Sequence, residues 1–162
     1  RNTIRGNRFL NNSVVGGLCR GGNYTVHGNI DGLLIENNTI EVPAADWSCG
    51  GINVTAGYDY TESFRNVVVR GNTGDNLGQC LVCINSAPGA VIEGNRAFTR
   101  SGNPAPLTLA NGFMSNETPM SGVTVRDNTV CGQGSITNIG GASQSGNSLR
   151  TGTEATTGAC AR

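Results

Sequence analysis

The stretch Val123-Thr124-Val125-Arg126-Asp127-Asn128-Thr129-Val130 decides the fold, because versions of it recur along the whole chain. The other five versions are 2–9 NTIRGNRF, 33–40 LLIENNTI, 67–74 VVVRGNTG, 90–97 AVIEGNRA and 142–149 ASQSGNSL. All six share one Asn; these are Asn7, Asn38, Asn72, Asn95, Asn128 and Asn147, at intervals of 31, 34, 23, 33 and 19 residues. Recurrence at such intervals is the signature of a solenoid.

Apolar residues stand at fixed places relative to this Asn. Three residues before it are Ile4, Ile35, Val69, Ile92 and Val125, with Gln144 as the exception. Two residues after it are Phe9, Ile40, Ala97, Val130 and Leu149, with Gly74 as the exception. The alternation predicts strands that point these residues inward together with the Asn. Stacked amides donate to and accept from their neighbours, so the six Asn are expected to form a structural ladder.

The place two residues before the Asn is expected to face outward. It holds Arg5, Glu36, Arg70, Glu93, Arg126 and Ser145. If coils stack about 4.8 Å apart, opposite charges alternate up this face. A chance alternation on a solvated face is the other interpretation. An ion-pair ladder would specify the register of the coils more than it stabilises them.

A second strand is predicted in each coil, some way after the repeated unit. The candidate segments are 18–20, 52–55, 81–85, 107–110, 136–139 and 159–161. These segments are expected to stack as a further parallel sheet, which closes on itself because no helices cover it.

The repeat resembles that of the right-handed parallel β-helix proteins, the pectate-lyase-like superfamily, whose fold is also used in phage tailspikes and surface adhesins. The resemblance covers nearly the whole chain. It implies an all-β fold, a right-handed parallel β-helix of about five to six coils with no obvious caps. It does not imply one activity, because this fold hosts many functions.

Composition narrows the possible partners. The 162 residues allow one domain, 1–162, and the formal net charge is +0 with eleven basic and eleven acidic residues. This balance argues against nucleic acid, and no apolar run is long enough to predict membrane insertion. Every basic residue is Arg, which excludes a lysine base within this chain. The chain opens inside a strand, so we expect a segment of a longer chain or a stacking subunit.

Six cysteines give no zinc-like arrangement, and neither a metal nor another cofactor is predicted. They are Cys19, Cys49, Cys80, Cys83, Cys131 and Cys160. An even number favours disulfides and an oxidising compartment, while buried free thiols are the alternative. Similar strand places also suggest a disulfide between Cys160 of one copy and Cys19 of the next, if copies stack end to end.

Two long connections carry the candidate binding residues. They contain Trp47, Tyr58, Asp59, Tyr60 and Glu62, aromatic rings beside carboxylates, as sugar binding requires. The alternative is that the rings only hold these loops on the coil. No catalytic residue is predicted: the Asn-Thr-Asp, Asp-Asp, Gly-His-Gly and Arg-Ile-Lys motifs of pectin hydrolases are absent, and so is the Lys of the lyase relatives.

The sequence therefore predicts a structural or adhesive β-solenoid rod, of the appendage, fibre or phage-spike type, outside the cell or on a cell or virion surface. Expected partners are second copies stacked end to end or flanking coils, with polysaccharide as a contact. The rival interpretation is a polysaccharide lyase, epimerase or hydrolase fragment acting on uronate-containing glycans.

Overall fold

The computed structural model describes residues 1–12, 14–15, 18–19, 22–42, 50–56, 61–99, 106–112 and 119–161. The regular elements among these residues are strands, apart from 3₁₀ turns at Gly152–Thr156 and Gly158–Cys160. The strands are β1 (Asn2–Arg5), β2 (Arg8–Leu10), β3 (Val14–Val15), β4 (Leu18–Cys19), β5 (Gly22–Val26), β6 (Ile30–Glu36), β7 (Thr39–Glu41), β8 (Gly50–Val54), β9 (Phe64–Arg70), β10 (Thr73–Leu77), β11 (Cys80–Ile84), β12 (Val91–Glu93), β13 (Arg96–Thr99), β14 (Leu107–Gly112), β15 (Thr124–Arg126), β16 (Thr129–Cys131), β17 (Gly134–Thr137), β18 (Ser143–Ser145) and β19 (Ser148–Arg150).

The strands stack into three parallel sheets that the chain visits in turn. Sheet 1 has the order β1-β6-β9-β12-β15-β18, sheet 2 the order β2-β7-β10-β13-β16-β19 and sheet 3 the order β5-β8-β11-β14-β17. Five windings contribute a strand to every sheet, and β18 and β19 begin another. The predicted all-β parallel β-helix is confirmed.

Each repeated unit bends just before its Asn, so its two halves lie in different sheets. The residue at the bend has positive φ in all six units, between 54° and 66°: Gly6, Asn37, Gly71, Gly94, Asp127 and Gly146. Glycine suits this left-handed conformation. At Gly71 a side chain is also excluded sterically, because a Cβ there would lie 2.4 Å from Oδ1 of Asn37 in the preceding coil.

A second column of positive φ lies near the start of five strands of sheet 1. It lies six residues before the Asn, at Gly32, Asn66, Gly89, Gly122 and Gly141. The chain between the two columns therefore has the same length in each of these coils, which keeps the inward residues in register.

The six Asn lie along one line inside the bend. Asn38 donates from Nδ2 to Oδ1 of Asn72 at 2.9 Å, and Asn72 donates to Asn95 at 3.0 Å. The backbone N–H of each Asn also donates to the next Oδ1, as from Asn95 to Asn128 at 2.9 Å. Each of the four inner amides, Asn38, Asn72, Asn95 and Asn128, therefore accepts from the coil before it and donates to the coil after it.

The apolar rows that the sequence predicts fill the interior. The row three residues before the Asn is fully buried at Ile35, Val69, Ile92 and Val125, whereas Gln144 at its end is exposed. The row two residues after the Asn is buried at Ile40, Ala97 and Val130. Since each coil covers the apolar residues of the next, burial is greatest in the middle of the stack.

The outward charges pair across coils in the predicted register. Glu36 is only 4% exposed and accepts from Nε of both Arg5 and Arg70. Glu93 accepts from Nη2 of Arg126 at 2.5 Å and lies opposite Arg70 in the sheet. Hydrogen bonding from Arg70 is the largest cause that lowers the pKa of Glu36; burial acts against it, and Arg5 adds to it.

The first coil differs from the predicted path. The segment 18–20 was expected in the sheet of 52–55, but Leu18–Cys19 pairs antiparallel with Val14–Val15 as a separate hairpin. Gly22–Val26 takes the predicted place and pairs with Gly50–Val54. The physical reason is spacing: Tyr24 and Val26 alternate in phase with the inward row, and a two-residue strand does not.

The segment 159–161 is likewise not a strand of the coil. Cys160 ends a 3₁₀ turn and is bonded to Cys131 on the outer face of sheet 2, where both pack on Phe98. The suggested disulfide from Cys160 to Cys19 of another copy is therefore wrong, because Cys160 is bonded within its own chain. A second disulfide joins Cys80 and Cys83.

Candidate functional site

The residues predicted to contact glycan fall mostly outside the described part of the chain. Trp47, Tyr58, Asp59 and Tyr60 lie outside the described residues, so their contact with sugar stays a prediction. Glu62 is described, and only 8% of its surface is exposed. Its Oε2 lies 3.9 Å from Nδ1 of His27.

His27 is fixed at the corner that follows β5. Its Nδ1 lies 2.6 Å from the carbonyl oxygen of Thr55 in the next coil. A carbonyl oxygen only accepts, so Nδ1 is the donor in this hydrogen bond. His27 and the buried Glu62 thus bridge neighbouring coils, which is a structural use of the single histidine.

An open groove of about 490 Å³ lies along the corner that begins sheet 1. Its polar lining includes Arg1, Asp31 and Asn66, and its apolar lining includes Val68 and Val91. Asp31 accepts from Nδ2 of Asn66 at 2.6 Å. Asp31 is the single carboxylate among these lining residues, whereas hydrolysis of a glycosidic bond uses two opposed carboxylates.

The end of the stack at the first coil is chemically distinctive. Ile4 and Phe9 belong to the inward rows but are only partly buried, because β1 and β2 are edge strands of the described sheets. The ring of Tyr24 packs 4.5 Å from that of Phe9. An apolar centre is therefore left partly uncovered at this end.

The amide ladder gives this end a direction. Asn7 donates from its backbone N–H and Nδ2 to Oδ1 of Asn38, at 3.0 and 3.1 Å. In the repeating geometry Oδ1 of Asn7 is the acceptor for a coil that would precede the first one. Parallel edge strands such as β1 also present backbone groups for pairing.

Three arginines surround the same end. Arg5 reaches Glu36, and its side chain is still 61% exposed. Arg8 makes a two-pronged contact with Glu41, at 2.9 and 2.7 Å, which lowers the pKa of that carboxyl through hydrogen bonding. With Arg1 on the neighbouring corner, the rim of the first coil is cationic.

The opposite end is polar along sheet 1. β18 consists of Ser143, Gln144 and Ser145, all exposed. Leu149 continues an inward row over Val130 but is 46% exposed. After β19 the chain turns back along the outside of sheet 2, where Nη1 of Arg96 donates to the carbonyl of Ala159 at 2.8 Å.

Sequence reasoning identified the ladder and the inward rows but not this difference between the two ends. The available signal was Gln144, the single polar residue in a row of Ile and Val. The cationic rim could not be predicted, because its prediction requires knowing which coil is at the edge of the stack.

Within the described ranges, no cluster of three or more His, Cys, Asp or Glu side chains is arranged to hold a metal ion. The same residues include no helix with the length and hydropathy of a membrane span. Searches against family models, curated proteins and solved structures find no match to this chain.

Proposed function

We propose that this chain is a structural module of an extracellular or surface rod, in which further parallel β-coils continue the stack from the first coil. The observation that supports it most is the amide ladder, which runs through every coil and ends at Asn7, whose Oδ1 is in the repeating geometry the acceptor for a preceding coil. Ile4 and Phe9 lie beside this acceptor and would be buried by one more coil.

Flanking coils fit this end better than a second copy does. A coil that precedes the first one needs an Asn that donates to Asn7, an apolar residue over Ile4 and a carboxylate over Arg5. The last coil of this chain offers Asn147, but it has Gln144 and Ser145 at the other two places.

The proposed location follows from the disulfides. Disulfides such as Cys131–Cys160 are typical of oxidising compartments. A rod on a cell or virion surface fits that chemistry, as does the resemblance of its repeat to that of the right-handed parallel β-helix proteins. Glycan contact through Trp47, Tyr58, Asp59 and Tyr60 would make such a rod adhesive.

The test adds one coil to the protein. A copy of residues 64–88 placed directly before Arg1 sets the copied Asn72 at 23 residues from Asn7, an interval that the chain already uses. Two versions are compared, one with the copied Arg70 changed to Glu and one unchanged. We expect the Glu version to raise the free energy of unfolding by about 2 kcal/mol or more, because it covers Ile4 and Phe9.

The unchanged version is the matched control, since it places Arg against Arg5 and should gain less. An added coil that is digested by protease as an unfolded tail in both versions would contradict the proposal. Release of unsaturated or reducing ends from uronate polymers by the wild-type chain would instead favour the lyase, epimerase or hydrolase alternative.

A further inference from the structure

The two ends of the stack differ in a way that bears on assembly, and this inference rests on the proposed function. We propose that the last coil is a stop that prevents a second copy from adding head to tail. The partner of the first coil is then a parallel β-coil with a carboxylate two residues before its Asn, supplied by a different segment or chain.

The first step concerns the interior row at the last coil. Val125 is fully buried and lies opposite Gln144, which covers it and is itself exposed. Ile or Val at this place would present an apolar surface to the axis, as Ile4 does at the other end. Gln144 instead presents an amide, and solenoids commonly end in repeats with a polar outer face.

The second step concerns charge. Along the outward column the charges alternate from Arg5 to Arg126, and Glu36 shows how one carboxylate is shared by the arginines of two neighbouring coils. Arg126 is followed by Ser145. A copy added through its last coil would therefore bring a neutral hydroxyl, not a carboxylate, to Arg5.

The third step concerns the path of the chain. Continued winding would place a strand after β19 on the edge of sheet 3 at β17. The segment 151–161 leaves the coil instead, and the Cys131–Cys160 disulfide fastens it to the outside of sheet 2. This path directs the backbone back towards earlier coils and leaves the described edge of β17 without a following strand.

The polarity of the ladder excludes the other arrangement of two copies. If two first coils met face to face, the Oδ1 atoms of both Asn7 residues would point at each other, and two acceptors cannot pair. Arg5 and Arg8 of both copies would also meet. The first coil therefore fits the donor end of an acidic coil and not its own counterpart.

The test converts the stop into a matching coil within the full chain. Gln144→Ile with Ser145→Glu supplies the missing apolar residue and the missing carboxylate, and Gln144→Ile with Ser145→Arg is its matched control. Analytical ultracentrifugation measures the mass of each folded variant, with circular dichroism as the check on folding.

We expect the wild-type chain to sediment as a monomer of 16.7 kDa and the Ile/Glu variant to form head-to-tail multimers. The association constant of the Ile/Arg variant should be smaller than that of the Ile/Glu variant by about tenfold or more, because Arg would face Arg5. Adding Ile4→Arg to the Ile/Glu variant should restore the monomer.

Three results would overturn the inference. They are wild-type multimers that Ile4→Arg abolishes, a folded Ile/Glu variant that stays monomeric, and equal association of the two double variants. None of these depends on whether an added coil folds onto Arg1, so failure here is distinct from failure of the proposed rod.

Discussion

The side chain of Asn72 makes hydrogen bonds to the coil before its own and to the coil after it. Its Oδ1 accepts from the backbone N–H and from Nδ2 of Asn38, at 3.0 and 2.9 Å, and its Nδ2 donates to the carbonyl of Ile35 and to Asn95. The residue is fully buried. Its removal would leave donors of Asn38 without an acceptor in a site that water does not reach, which is the expensive case for a hydrogen bond.

Asn72→Ala should therefore lower the free energy of unfolding by about 3 kcal/mol, measured by urea denaturation. Asn7→Ala is the matched control, because Asn7 is exposed at the edge of the stack and its loss should cost about 1 kcal/mol or less. Equal losses at the two positions would mean that the buried ladder contributes no more than its exposed end.

Glu36 gives the stability of the protein a dependence on acid pH. Its pKa is lowered from the ordinary value of 4.5, first by the hydrogen bond from Arg70. A carboxyl whose pKa is lower in the folded state contributes stability above its unfolded pKa, and this contribution is lost as the pH falls through the folded pKa.

We expect Glu36→Gln to remove part of the decline in unfolding free energy that occurs as the pH is lowered from about 4.5. Glu154→Gln is the comparison, since the side chain of Glu154 is 64% exposed and contacts Arg150 at 3.6 Å. Thermal melts between pH 3 and pH 6 would measure both variants, taking this range as roughly the titration window of a Glu carboxyl. Indistinguishable pH curves would show that the Arg–Glu–Arg contact has no energetic coupling to folding.

The elements that the sequence predicts best are the ones built from side chains at fixed spacing. The inward rows and the charge column follow from a period of two, and the register of Arg5 with Glu36 follows from aligning the Asn. The column of positive φ six residues before the Asn was missed, although Gly32, Gly89 and Gly122 stand at that place in the sequence.

The elements that the sequence predicts badly are those set by contacts between distant segments. Leu18–Cys19 carries a strand-like composition, but its partner is Val14–Val15 and not the coil. The segment after β19 is positioned by the bond from Cys160 to Cys131, and connectivity among six cysteines does not follow from their spacing. Residues outside the described ranges include the aromatic part of the candidate glycan site.

Apart from the Cys131–Cys160 disulfide, few contacts hold the segment 151–161 against the coils. In the 3₁₀ turns after β19, Cys160 is the one buried residue, and Arg96 makes a single hydrogen bond to Ala159. Replacing both Cys131 and Cys160 by Ser should expose residues 151–161 to protease well before the coils unfold. The free energy of unfolding should fall by about 3 kcal/mol, as for a disulfide that closes a loop of 29 residues.

Mass spectrometry of the first cleavage products distinguishes a local release from general unfolding. Cleavage confined to the segment after Arg150 is the expected result. First cuts within the coils would show that the disulfide holds the stack itself together.

For the whole molecule, the sequence predicted the architecture because every coil repeats the same pattern of inward apolar residues around one Asn. It predicted a rod because this pattern recurs along the whole chain. It did not predict how the two ends of the described stack differ. That property depends on a few residues at the edges of the stack, Ile4, Arg5, Gln144 and Ser145, which look like ordinary variants of the repeat until the order of the coils is known.

The two columns of left-handed residues have a consequence for how this protein can vary. They fix the length of the sheet 1 segment in every coil after the first, while the connections that follow sheets 2 and 3 differ in length from coil to coil. The strands of sheet 1 therefore keep one length, and differences in length between coils lie in the connections after sheets 2 and 3. The loops between β8 and β9 or between β14 and β15 can be replaced while the distance between the stacked Asn side chains stays unchanged. Surface properties can therefore evolve independently of the scaffold.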